Sequence, residues 1–273
     1  MTMLPKDIAY INNIMNNVSE DQWENIAYKS GNPDLWTCFS PQKEGLYGWL
    51  SFEQNERILV VNADYGAGYM NIINQGIETV FLEPIEEWHQ IQTVRFKDKN
   101  NVKVLSWEQY NLQYADVVFD WIIINRDLSL LSIICSNLSA NGKVVLNVSN
   151  KMGLSHWNGN PYESGELFAN SREKDMYHGE EGYTKGEIDR LMMQMHLDCR
   201  KYYYPYPDAN CPQQIYSDDR MLPEDEIEEI TNVNYERYRF FDEKKAASLL
   251  LKDNIYDYFF EDFLVVCRRK QIQ

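Results

Sequence analysis

The sequence predicts an α/β protein built on a doubly wound, mostly parallel sheet. Three observations predict it. Five apolar runs, Ile58–Val61, Val80–Leu82, Val102–Leu105, Trp121–Ile124 and Val144–Val148, are short, rich in β-branched residues and bounded by turn residues. Their apolarity is continuous instead of alternating, as in strands covered on both faces. Between them lie Tyr69–Gln75, Ile85–Phe96, Gln109–Tyr114 and Leu128–Leu138, which can serve as crossover helices with right-handed connections.

Residues 6–30 place Ile8, Ile11, Ile14, Met15 and Val18 at helical spacing, and Ser19 and Asp21 can cap a second short helix through Trp23 and Ile26. Gly31, Asn32 and Pro33 break this lead-in, and Ser40–Leu50 holds a further amphipathic segment. We divide the chain into a helical lead-in (1–50), a Rossmann-like cofactor-binding half (51–150) and a lid, an acidic insertion and closing strands (151–273). Between Asn150 and Gly182 the sequence loses periodicity and mixes glycines with Trp157, Tyr162, Phe168 and Tyr177, the texture of a functional loop. Lys185–Leu197 then reads as a helix capped by Thr184, Arg200–Tyr204 as a strand, and Phe263–Cys267 as the closing strand. Ser217–Glu243 carries ten acidic and three basic residues and is expected to be a solvated helical insertion.

Charge narrows the partners. A net charge of −16 with no Lys/Arg stripe argues against nucleic acid and against an anionic membrane surface. No apolar run reaches the ~20 residues needed to span a bilayer, and the N-terminus lacks the apolar core of a signal peptide. The five cysteines are scattered, with no Cys-x-x-Cys pair and no metal-ligand spacing to the four histidines, so we expect reduced thiols, no metal and a cytoplasmic location.

In a doubly wound sheet the ligand sits beyond the carboxyl ends of the strands. The first turn there is Asn62-Ala63-Asp64-Tyr65-Gly66-Ala67-Gly68, where glycine permits close backbone approach and the next helix offers free N–H groups. The second strand ends in Glu83, about twenty residues on, where an acid can accept both hydroxyl hydrogens of a ribose. An ordinary tight turn explains Gly66 and Gly68 equally well.

The runs "FSPQKEGLYGWLSFEQNERILVVNADYGAGY", "VFLEP", "FDWIIIN", "GKVVLNVSNKMGLSHWNG", "GEEGYTKGEIDRLM", "YYYPYPDANCPQQIYSDDRMLP" and "FFDEKKA" extend from about Ser40 to Lys270. In this ordered series the chain resembles bacterial class I S-adenosylmethionine-dependent methyltransferases of the kind encoded beside glycosyltransferases. The resemblance implies a Rossmann-like methyltransferase fold of seven strands, the last running antiparallel between its neighbours, and S-adenosylmethionine as cofactor. At the first turn the family has an acidic residue in the strand and three glycines at alternate positions. This chain has Val60, Asn62 and Asp64, and only Gly66 stays in register. Asn62 tolerates a left-handed backbone, whereas the Asp64 carboxylate either meets the cofactor's ammonium group or blocks it.

The resemblance also places Glu83 on the ribose, Trp107 and Glu108 at the adenine, and Asn125 on the methyl-donor side. Core packing and helix initiation account for Trp107 and Glu108 equally well, and a strand-ending turn accounts for Asn125. The catalytic candidates are His156, His178 and Tyr162, all in the lid, where a histidine can act as a base near neutral pH. "NPY" at Asn160–Tyr162 follows the fifth strand and reads as a loop, and no Tyr-x-x-x-Lys dyad appears after that strand. Tyr202, Tyr203, Tyr204 and Tyr206 either line an acceptor pocket or pack the core. The function expected is methyl transfer to a small-molecule or carbohydrate acceptor. The alternative is a catalytically silent methyltransferase-like binding or scaffold protein with a protein partner in glycan assembly.

Overall fold

The computed structural model describes residues 5–160, 182–228 and 238–270. The chain divides into two compact units, one made of residues up to Ile124 with Cys135–Gly142, the other of Asn125–Ile134 with everything from Lys143 on.

The first unit opens with helices α1 (Pro5–Asn17), α2 (Trp23–Ser30) and α3 (Pro33–Phe39). Gly31 ends α2 in a left-handed conformation, which it adopts without steric cost. The break expected at Gly31, Asn32 and Pro33 falls between α2 and a further helix, α3, which starts at Pro33. Asn32 accepts from the Asp34 and Leu35 amides, and Pro33 occupies the first turn, where its missing N–H is not needed. The amphipathic segment after Ser40 is a 3₁₀ turn, Pro41–Leu46. Ile8, Ile11, Ile14 and Met15 of α1 bury against Trp23, Ala27, Leu35, Phe39, Tyr65 and Ile91.

The Rossmann-like strands follow: β1 (Arg57–Val61), α4 (Met70–Asn74), β2 (Glu78–Leu82), α5 (Glu86–Arg95), β3 (Val102–Leu105), α6 (Trp107–Gln113) and β4 (Phe119–Asn125). Their order is β3-β2-β1-β4, all parallel. Every residue from Ile58 to Val61 is fully buried, which is why these runs are continuously apolar. The chain steps outward from β1 to β3 and returns to the other side of β1 with β4, so the strand order reverses beside β1. Val61 lies level with Leu82 and with Ile124, which brings the turns after these strands to one edge.

In the second unit, α7 is only Leu131–Ile134, followed by a 3₁₀ turn, Cys135–Asn137, that belongs to the first unit; the crossover expected over Leu128–Leu138 is thus much shorter. Asn137, which ends the 3₁₀ turn, donates its amide to the Ala115 and Val117 carbonyls. Strand β5 (Leu138–Ser149) leads to α8 (Leu154–Trp157), α9 (Lys185–Gln194), β6 (Leu197–Tyr206), β7 (Gln214–Ser217), α10 (Glu243–Lys252) and β8 (Asp262–Arg269). The order β5-β8-β6-β7 is antiparallel throughout, with β8 between β5 and β6 as expected. Eight strands therefore stand among the described residues where seven were expected. The addition is β7, paired antiparallel with β6. Thr184 caps α9 in a reciprocal box with Glu187.

Tyr202, Tyr204 and Tyr206 of β6 are core, whereas Tyr203 is half-buried. Tyr204 stacks on Phe260 at 4.5 Å, Tyr202 and Tyr206 are buried beside it, and Lys185 reaches the Tyr204 hydroxyl at 2.8 Å and Asp257 at 2.7 Å. Between Ser217 and Glu243 the described residues hold a 3₁₀ turn, Glu224–Glu226, and no α-helix before α10, whereas a helical insertion was expected; residues 229–237 lie outside the described part. Among the described residues no helix is long and apolar enough to cross a membrane, and no group of His, Cys, Asp and Glu could hold a metal ion.

Candidate functional site

The turn after β1 carries the clearest signal in the first unit. Asn62, Asp64 and Gly66 have φ of 55°, 52° and 75°. These are alternate residues and all three are left-handed, two of them with a side chain that disfavours it by about 1–2 kcal/mol. Asn and Asp are the side-chain-bearing residue types that enter this region most readily.

The turn is held from three sides. The Asn62 amide donates to the Leu82 carbonyl at 3.2 Å. Lys43, from the 3₁₀ turn after α3, pairs with the Asp64 carboxylate at 3.4 Å, both side chains largely buried. Gln92 of α5, fully buried, donates to the Asp64 carbonyl at 2.7 Å. Gly66 packs against Phe96, and a Cβ built on Gly66 would stand 2.7 Å from the Phe96 ring. Gly66→Ala is accordingly expected to destabilise the protein by about 2 kcal/mol, from overpacking and left-handed strain together. A denaturation midpoint unchanged from wild type would show that the ring yields freely.

Glu83 closes β2 where expected, but it points inward and is 1% exposed. Its Oε2 accepts from Gln92 at 2.9 Å, its Oε1 from the Ile85 amide at 3.2 Å, and the Ala63 amide donates as well. Burial raises its carboxyl to about pKa 8, against the donors of Ile85, Gln92 and Ala63. Of the roughly four lone-pair sites of a carboxylate, three are engaged. The adenine candidates lie on α6. Trp107 is half-buried and stacked with Tyr110 at 5.9 Å, while Glu108 is exposed in the first turn, which Ser106 and Gln109 cap.

In the second unit, Asn125 is buried and accepts from the Asn147 amide at 3.1 Å, so its oxygen is engaged within that unit. His156 lies on α8 with Nδ1 3.2 Å from the Asn160 carbonyl oxygen. Trp157 is 40% exposed and donates to the Met152 carbonyl. Tyr162 and His178 fall outside the described residues. Asn158 is fully buried and ties its loop to the start of α10, donating to Phe241 O and Glu243 and accepting from the Phe240 and Phe241 amides.

Sequence reasoning missed Lys43, Gln92 and Phe96, which shape the turn, and the buried carboxyls Glu261 and Asp262 at the start of β8. A signal for Gln92 exists. Trp88, Ile91, Gln92 and Arg95 share one face of α5, and a neutral amide in that buried line asks for a partner.

No family model and no curated protein matches the sequence. Among solved structures the chain is similar to a SAM-dependent methyltransferase, possible histamine N-methyltransferase, from Thermotoga maritima at 13% identity, covering 97% of this chain and 100% of that one with a TM-score of 0.47. It is similar to the plantazolicin methyltransferase BpumL in complex with SAH at 12% identity, 97% and 98% coverage and a TM-score of 0.48. A TehB-like SAM-dependent methyltransferase from Corynebacterium glutamicum matches at 12% identity, 96% and 99% coverage and a TM-score of 0.47. Likeness at these identities and scores carries no functional inference.

Proposed function

We propose that the first unit binds an adenosyl ligand at the turn 62–68 and that the protein is an S-adenosylmethionine-dependent methyltransferase acting on a small molecule or carbohydrate. The observation that carries this reading is the left-handed backbone at Asn62, Asp64 and Gly66. Strain of this kind persists only where surrounding structure holds it, and it concentrates at ligand sites.

The residues suit the nucleoside end of such a ligand. Glu83 keeps one acceptor position for a ribose hydroxyl, Trp107 offers a ring face and Glu108 an exposed carboxylate for the adenine. At the amino-acid end Asp64 is the counter-charge for an ammonium group, which would replace Lys43 as its partner. When bound, the cofactor supplies an electrophilic methyl group on sulfur. The protein's share is alignment, with a base needed only where the acceptor carries a proton. Asn125 remains our candidate for the methyl-donor side, and His156, His178 and Tyr162 for the acceptor side.

The Lys43–Asp64 pair and the inward aim of Glu83 favour a second reading, in which the turn survives as a silent methyltransferase-like binding or scaffold surface with a protein partner in glycan assembly. Calorimetric titration with S-adenosylmethionine and S-adenosylhomocysteine separates the two. The methyltransferase reading expects wild-type binding. It further expects tighter binding as pH rises from about 6.5 to 9, because ribose hydroxyls donate to the ionised form of a carboxyl that burial holds protonated up to about 8. Glu83→Gln should flatten that dependence. Silence of the wild type at millimolar ligand, with binding restored by Asn62→Gly plus Asp64→Gly, decides for the scaffold.

A further inference from the structure

Gln92 spends both amide hydrogens on the two halves of the site. One goes to the Asp64 carbonyl at 2.7 Å and the other to Glu83 Oε2 at 2.9 Å, while its own Oε1 is buried with no partner. The side chain is fully buried on α5, two turns after the helix begins. An amide whose acceptor end is left orphaned in the interior is a poor choice for filling space, since Leu or Met fills the same volume without a desolvated oxygen. What Gln92 adds over those residues is its donor end. Rotating the amide would set its oxygen against the Asp64 carbonyl oxygen, so the neighbours fix its orientation.

We propose that Gln92 is a positioning residue: by bridging the Asp64 carbonyl to the Glu83 carboxyl it locks the left-handed turn and the buried acid beside it into one unit, so that ligand affinity and the acid's proton affinity both depend on it. The proposal deepens the adenosyl-binding reading and rests on it for the ligand arm alone. The bridge explains how Asp64 keeps its backbone without being glycine, because its carbonyl is held by a rigid donor from the neighbouring helix. It also explains the inward aim of Glu83, whose oxygen nearest α5 is drawn to the same donor. The titratable group set against Glu83 is Asp64 from the turn, itself paired with Lys43 from the segment after α3.

The test uses the full chain and two readouts. In Gln92→Met, which keeps the shape and removes the donor, S-adenosylhomocysteine affinity is expected to fall about tenfold. The Glu83 carboxyl, followed by carbon NMR of labelled glutamate, should titrate at a higher pH than in wild type because its charged form has lost a donor. In wild type, the Gln92 side-chain amide resonances should move with the midpoint of Glu83, a measurement that needs no variant to fold. Wild-type protein that binds no adenosyl ligand, but whose Gln92 amide follows the Glu83 titration, keeps the bridge and discards the ligand reading. A pH-invariant Gln92 amide, or a folded Gln92→Met with unchanged Glu83 titration, overturns the proposal.

Discussion

Glu83→Ala is expected to lower the free energy of unfolding by about 2–4 kcal/mol and to weaken adenosyl-ligand binding several-fold or more. The substitution strips the acceptor from three donors at once, the Ala63 and Ile85 amides and the Gln92 side chain, in a site closed to water. Each buried donor left unmade costs about 1–3 kcal/mol, and partial relaxation keeps the total below the sum. Glu83→Gln separates the two effects, since it keeps the bulk and one acceptor, so it should retain most of the stability while losing the pH dependence of binding. Urea denaturation of both variants checks the first claim. A loss under about 0.5 kcal/mol in Glu83→Ala would mean that this carboxyl does not hold the turn.

Glu261→Gln should make the protein more stable at pH 8 and leave it little changed near pH 4. Glu261 and its neighbour Asp262 are buried at the start of β8. Glu261 accepts from the Ser155 amide at 2.9 Å and from the Ser155 hydroxyl at 2.5 Å, and Asp262 from Ser149 at 2.9 Å and the Ala209 amide at 2.8 Å. Burial raises Glu261 to about 8 and Asp262 to about 6, with Asp208 adding repulsion to both and Arg126 opposing it at Asp262. A carboxyl whose pKa is higher folded than unfolded contributes stability that is complete below its unfolded value. That contribution drains away as pH rises through the folded value. Stability should therefore fall between about pH 4 and pH 8, with Glu261 responsible for on the order of 4 kcal/mol of the fall. The amide cannot ionise and removes that share. Chemical denaturation at the two pH values measures it, and an unchanged difference in the variant would relieve Glu261 of the role.

The strands of the first unit are legible because burial on both faces imposes continuous apolarity, a pattern that needs no knowledge of partners. Thr184 and Glu187 are legible because a capping box is local. Glu83 is half legible. Its position follows from strand length and spacing, while its inward aim depends on Gln92, nine residues later and on another element. Lys43 and Phe96 escape sequence reading altogether, since each acquires its meaning by approaching the turn from a distant part of the chain. Asn62 and Asp64 are legible as turn residues, since both types are among the few that visit left-handed angles, and both do so here.

The place of β8 has a consequence for how the protein is made. Ser149 at the end of β5 and Asp262 at the start of β8 face each other 113 positions apart, and β6 pairs with the same strand from its other side. A nascent chain therefore carries β5 and β6 with open hydrogen-bonding edges for the whole time that the intervening residues are translated. Pairings this distant form slowly, and edges left waiting are templates for association with other chains. At roughly 5–20 residues per second the exposure of β5 lasts about six to twenty seconds on the ribosome, and that of β6 about half as long. Crowded expression should lead to aggregation through β5 and β6 in particular, and slower growth at lower temperature should relieve it only where the supply of nascent chains falls faster than the rate at which β8 arrives.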